Sequence, residues 1–87
     1  MIKKELIKKI LSLENITQEE LNTFIVEYVY LMKNRDVSSQ ELTKIVLLVQ
    51  NGAFNIVFAA EQAGIKLGYN ITKLYDKNGY LLNVTIL

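Results

Sequence analysis

The stretch that most constrains this chain runs from Lys44 to Glu61 and reads KIVLLVQNGAFNIVFAAE. Between its charged ends, only Gln50, Asn51 and Asn55 interrupt apolar or small residues. A helix that is apolar on nearly every face belongs inside a packed structure. A bilayer span needs roughly 20 mostly apolar residues. This run is shorter and carries two amides beside a glycine, so the sequence favours burial in a soluble core over membrane insertion.

The dipeptide Asn51-Gly52 divides this stretch. One continuous helix through it would be close to ~40 Å long at 1.5 Å per residue. That is long for a domain whose expected radius of gyration is about 12 Å. Asn51-Gly52 also suits a left-handed helix C-cap, and Gly64 suits another. We therefore expect helices near 39–50 and 53–63. One long helix is the alternative, because a glycine inside a helix costs only about 1 kcal/mol.

Residues 2–13 have the spacing of a short amphipathic helix. Its apolar stripe consists of Ile2, Leu6, Ile10 and Leu13, with Ile7 and Leu11 beside it. Four lysines take the opposite side, where they could meet a membrane surface or a partner. A solvated lysine face over a core-facing stripe is favoured, because it is the ordinary pattern of a surface helix.

Capping signals predict the starts of the next two helices. Thr17 and Ser38 are each followed three residues later by a glutamate, Glu20 or Glu41, which is the spacing of a capping box. Apolar residues stand at the flanking positions of a hydrophobic staple in both cases. The first of these helices is expected over 17–33.

The helix over 17–33 is apolar on more than one side. Its predicted core face consists of Leu21, Phe24, Ile25, Tyr28 and Met32. Val26, Val29 and Tyr30 point partly away from that stripe. Such surplus apolar residues either complete the core or form a contact surface for a partner, so these three are candidate interaction residues.

The last part of the chain, residues 69–87, reads as a β-hairpin because its apolar residues alternate around Asp76-Lys-Asn-Gly79. A two-residue turn would pair Tyr75 with Leu82 and place the following residues on one face: Tyr69, Ile71, Tyr75, Leu82, Val84 and Ile86. A type I turn with a bulge at Gly79 would reverse this parity. The first register separates the faces better and is expected. The last strand contains no charged residue or proline, so Leu82, Val84 and Ile86 are also candidate interaction residues.

The composition excludes several kinds of site. The chain of 87 residues has no Cys and no His, and its net charge is +1. Disulfides, thiol nucleophiles and the commonest general base and metal ligand are therefore missing. The four glycines match neither a dinucleotide fingerprint nor a P-loop. We expect a cytoplasmic protein that is not an enzyme and has no catalytic residue, cofactor or metal.

DNA binding is the alternative function. The order of a helix, a helix, a glycine turn, a helix and a hairpin is that of a winged helix-turn-helix. The helix near 53–63 would read bases and the hairpin would form the wing. The candidate DNA contacts are Asn55, Gln62, Lys66, Lys73 and Lys77. The segment 53–63 carries no cation, however, and readers of DNA usually place Arg, Lys, Asn or Gln in the groove.

The sequence therefore predicts one α+β domain over 1–87. It should have three to four helices around a buried central stretch, 39–63, followed by a C-terminal hairpin. Apolar residues make up 51% of the chain, and a domain of this size buries only about 60–65% of its unfolded surface. We expect a regulatory or inhibitory module that contacts another protein and forms a homodimer, through the helix 17–33 or the last strand, with no membrane contact.

Overall fold

The computed structural model describes residues 2–87 and contains four helices followed by an antiparallel β-hairpin. This confirms the predicted α+β class and the order of the elements. The helices and strands are Lys4–Leu11 (α1), Gln18–Lys33 (α2), Ser39–Gln50 (α3), Ile56–Lys66 (α4), Ile71–Tyr75 (β1) and Leu81–Ile86 (β2).

Helix α1 is shorter than expected because it ends in a tight backbone cap. Leu13 has a φ of 59°. Its N–H donates to Ile10 C=O, and the N–H of Glu14 donates to Lys9 C=O. These two bonds define a Schellman motif, whose left-handed position is usually occupied by glycine. The predicted apolar stripe therefore loses Leu13, which is 73% exposed.

The predicted starts of α2 and α3 are confirmed. The Thr17 hydroxyl accepts a bond from the Glu20 N–H, and the Glu20 carboxylate accepts one from the Thr17 N–H, each at 3.1 Å. Ser38 caps α3 by accepting from the Glu41 N–H at 3.2 Å. The reciprocal half of the predicted capping box is not formed, because the Glu41 carboxylate is paired with Arg35 at 2.9 Å. Each helix start is thus determined by a capping side chain and a backbone N–H three residues later.

The predicted break at Asn51-Gly52 is present, but α4 differs at both ends from the expected 53–63. Gly52 has a φ of 75° and closes α3 with a second Schellman motif. Helix α4 begins later because Asn55 caps it, accepting from the Phe58 N–H at 3.0 Å. It also runs through Gly64. A Cβ there would lie 2.6 Å from Cδ1 of Ile71, so this glycine allows β1 to pack closely.

The hairpin combines both predicted registers. Ile71 pairs with Ile86 and Leu74 with Asn83, as the two-residue turn would require. The turn itself contains the glycine bulge, with Gly79 at φ 86°. Tyr75 therefore pairs with Leu81, and the ladder shifts by one residue between Leu74 and Tyr75. The predicted pairing of Tyr75 with Leu82 is wrong, because the turn and a second bulge offset each other.

The core lies where α1, α2, α4 and the inner face of the hairpin meet. Its buried residues are Ile2, Ile7, Ile10, Leu11, Phe24, Ile25, Val29, Ala59, Ala60, Ala63 and Val84. Small residues on α4 let α1 approach closely. Helix α3 packs chiefly against α2 and contributes no buried residue. The fully buried residues of the central stretch 39–63 therefore all lie in its second half, whereas Ile45, Val46 and Val49 are half-buried against the core.

Candidate interaction surface

Two of the three candidate residues on α2 are exposed. Val26 is 39% and Tyr30 is 56% exposed. Val29, the third, is buried in the core beside Phe24 and Ile25, so it is not available to a partner. It lies one turn from Ile25 on the face that meets the other helices. The predicted surplus on α2 is thus real but narrower than expected.

Val26 and Tyr30 border an apolar groove with a volume of about 400 Å³. The groove is lined by Ile2, Val26, Glu27, Tyr30, Leu31, Asn34, Asp36 and Leu67. Three of its apolar members were not predicted as site residues, namely Ile2, Leu31 and Leu67. They come from three different parts of the chain, and no local pattern connects them. A concave apolar surface with a few polar groups at its rim is typical of binding sites.

Ile2 forms part of one wall of this groove, and the chain around it is held to the segment that follows α4. The Tyr69 hydroxyl donates to Ile2 C=O at 3.4 Å. The ammonium group of Lys4 lies 5.2 Å from the centre of the Tyr69 ring, in the geometry of a cation–π contact. Ile2 itself is buried. The groove wall is therefore held by contacts from outside α2.

The candidate residues on β2 are mostly turned inward. Val84 is fully buried and Ile86 is half-buried. Leu82 is exposed, which corrects its predicted place on the inner face. It is the extra residue at the bulge, so Leu81 takes the inward position instead. A bulge also disrupts a strand edge and opposes pairing with another strand.

The candidate DNA contacts are spread over both ends of α4 and over the hairpin. The Asn55 side chain caps α4, and Lys66 lies at the other end of that helix. Lys73 forms an ion pair with Glu61 at 2.8 Å. Lys77 lies in the exposed turn, and Gln62 is half-buried.

Between these residues, the exposed face of α4 carries two large apolar side chains, Phe58 and Ile65, each 58% exposed. They lie on either side of Gln62 at helical spacing, on the face that a recognition helix would turn toward DNA. This face suits an apolar partner better than a base edge.

A second groove, of about 660 Å³, lies between α1 and α2 and is lined mostly by charged and polar residues. Lys9 and Glu20 form an ion pair across it at 2.9 Å. The hydrogen bond from Lys9, followed by that from the Thr17 backbone, lowers the pKa of Glu20 below its ordinary value. Both side chains are about one-third exposed, and solvent screens such pairs strongly. This groove is therefore explained by the contact between the two helices.

Comparison with protein-family models, curated proteins and solved structures found no match to this chain. Within residues 2–87, no helix has both the length and the apolar character needed to cross a bilayer.

Proposed function

We propose that this protein is a small non-enzymatic regulatory or inhibitory module that acts by protein contact and self-associates as a two-fold dimer. Cytoplasmic localisation and a further protein partner belong to the same proposal. The main observation in support of this proposal is the large solvent-accessible surface of the single chain.

The single chain is more extended than a monomer of its size. A folded monomer of 10.0 kDa should expose about 5,200 Å², whereas this chain exposes 5982 Å². Its radius of gyration is 13.3 Å, compared with about 12 Å expected. The excess surface is roughly 700 Å². Each partner in a standard protein interface buries about 800 Å², so one such contact accounts for the difference.

The exposed surface is also rich in large apolar side chains. They occur on every helix except α1, on both strands and in three of the connecting or terminal segments. The set is Leu13, Val26, Tyr30, Leu47, Leu48, Phe58, Ile65, Leu74, Tyr75, Tyr80, Leu82 and Leu87. Exposed aromatic and aliphatic residues are typical anchors of protein interfaces. Their presence on α4 in particular favours protein contact over DNA binding.

The test is the mass of the protein in solution. Light scattering at concentrations from about 1 to 100 μM should give a mass near twice 10.0 kDa at the upper end, because modest interfaces have micromolar dissociation constants. A mass of one chain at about 100 μM would contradict self-association.

A further inference from the structure

The exposed residues of α2 form a regular stripe. After the first residue of the helix, its exposed positions are Glu19, Thr23, Val26, Tyr30 and Lys33. The steps between them are four, three, four and three residues. This alternation is the seam spacing by which one helix packs lengthwise against another. Helix α2 therefore has a second seam opposite the one that faces the core.

The ends of this seam carry opposite charges. Glu19 lies in the first turn of α2 and Lys33 in the last. Neither forms an ion pair with another residue within 2–87. The middle of the seam contains the apolar pair Val26 and Tyr30. A negative end, an apolar centre and a positive end make the seam complementary to itself only when a second copy runs in the opposite direction.

We propose that two copies of this chain pair through α2, antiparallel about a two-fold axis near Val26. The proposal rests on the proposed function, which requires self-association, and it identifies the surface. In this alignment Val26 meets Val26 of the second copy, and Tyr30 meets Thr23. Glu19 of each copy lies opposite Lys33 of the other, so the dimer contains two such charge pairs. A closed two-fold contact of this kind uses the same patch on both copies.

Two of the other exposed apolar surfaces, on α3 and on β2, are less complementary to a second copy. On α3, Leu47 and Leu48 share their face with Lys44, and the exposed residues of that helix include no acid. Two copies meeting there would bring together two cations without a partner. On β2, the bulge at Leu82 interrupts the edge that a second strand would need.

Charge reversal with rescue tests the alignment. In sedimentation equilibrium at about 50 mM salt, where screening is weak, Glu19→Lys and Lys33→Glu should each raise the dimer dissociation constant about tenfold or more. Each reversal turns both charge pairs of the dimer into repulsive contacts. The double variant, Glu19→Lys with Lys33→Glu, restores opposite charges and should return to within about threefold of the wild type. Glu14→Lys makes the same charge change as Glu19→Lys but outside the seam, and it should leave the constant unchanged.

A second pair of variants tests the apolar centre. Tyr30→Glu should abolish dimers at about 100 μM, because an interface centre tolerates a carboxylate poorly. Tyr80→Glu is the matched control: Tyr80 is 73% exposed and lies beside the hairpin turn, so this variant should dimerise as the wild type does. Thermal melts followed by circular dichroism establish that each variant is folded. If a reversal unfolds the chain, Glu19→Gln and Lys33→Gln replace it, each with a rise of about threefold.

The outcomes separate the two proposals. Weaker dimerisation of both single variants, with recovery in the double variant, supports antiparallel pairing of α2. A wild-type dimer whose stability is insensitive to both reversals overturns the α2 surface and leaves self-association standing. A wild-type monomer overturns both.

Discussion

Helix α1 is less apolar than α3, yet α1 is the more deeply buried of the two. Helix α1 is eight residues long and contains three lysines, yet it buries Ile7, Ile10 and Leu11. Helix α3 is twelve residues long with five consecutive apolar residues from Ile45 to Val49, yet it buries none. The difference lies in their neighbours, since α1 is covered by α4 and β2 whereas α3 packs chiefly on α2. Burial is decided by how many elements surround a helix rather than by its hydropathy.

Truncating one apolar side chain in each helix gives the largest test of this contrast. Ile7 is fully buried, so Ile7→Ala should lower the free energy of unfolding by about 2–5 kcal/mol through lost burial and the cavity left behind. Leu48 is 45% exposed, and Leu48→Ala should cost less than about 1 kcal/mol. Urea unfolding of both variants measures the difference. Equal losses would mean that α3 is as well covered as α1.

Substitutions in the C-terminal caps of the same two helices should change the stability of the fold in opposite directions. Leu13 and Gly52 occupy the same left-handed position after α1 and α3. Leu13→Gly should stabilise the fold by about 0.5–1 kcal/mol, because relief of the left-handed strain exceeds the added freedom of the unfolded chain. Gly52→Ala should destabilise it by about 1 kcal/mol. Nothing lies within 4 Å of a Cβ at Gly52, so only backbone strain is involved. A loss of stability in Leu13→Gly would show that the leucine side chain makes a contact of its own.

The smallest expected effect is electrostatic and concerns the ion pairs of α1 and α3. The pKa of Glu20 is lowered chiefly by the hydrogen bond from Lys9 of α1, and that of Glu41 chiefly by the hydrogen bond from Arg35 before α3. A carboxyl whose pKa is lower in the folded state stabilises above its unfolded pKa, and this stability is lost as pH falls through the folded value.

Glu20→Gln and Glu41→Gln should therefore each flatten the decline in stability below about pH 5. Glu14→Gln serves as the control for an exposed carboxyl. Thermal midpoints measured from pH 7 to pH 3 check the expectation. Added salt should shrink the differences, because these pairs are exposed to solvent. A decline as steep in Glu20→Gln as in the wild type would show that the Lys9 contact does not persist in solution.

The features that the sequence predicted correctly are those decided by neighbours along the chain. Thr17 and Ser38 cap their helices with groups three residues away, and Gly52 supplies the left-handed backbone that ends α3. The hairpin was partly predictable for the same reason. Its outer register follows the alternation of Ile71, Val84 and Ile86, but two offsetting bulges near the turn leave no trace in that alternation.

The features that sequence reasoning missed depend on contacts between distant elements. The groove beside Tyr30 needs Ile2 and Leu67, which are brought together by the bond from Tyr69 to the backbone of Ile2. Val29 and Val84 were candidate interaction residues but are buried by other elements. Conversely, Leu47 and Leu48 lie in the most apolar run and are exposed. Apolar character indicates that burial of a residue is favourable, and only the tertiary arrangement shows whether that residue is buried.

The arrangement of the core also sets an order of events during synthesis. The buried face of α1 is completed by α4 and by Val84 of β2, which lie at the opposite end of the sequence. Chains are synthesised at about 5–20 residues per second. Several seconds therefore pass between the synthesis of Ile7 and Ile10 and that of the residues that bury them. Helices α2 and α3, which adjoin in sequence and in space, can pack together during that interval. Helix α1 is therefore synthesised before the elements that complete its burial.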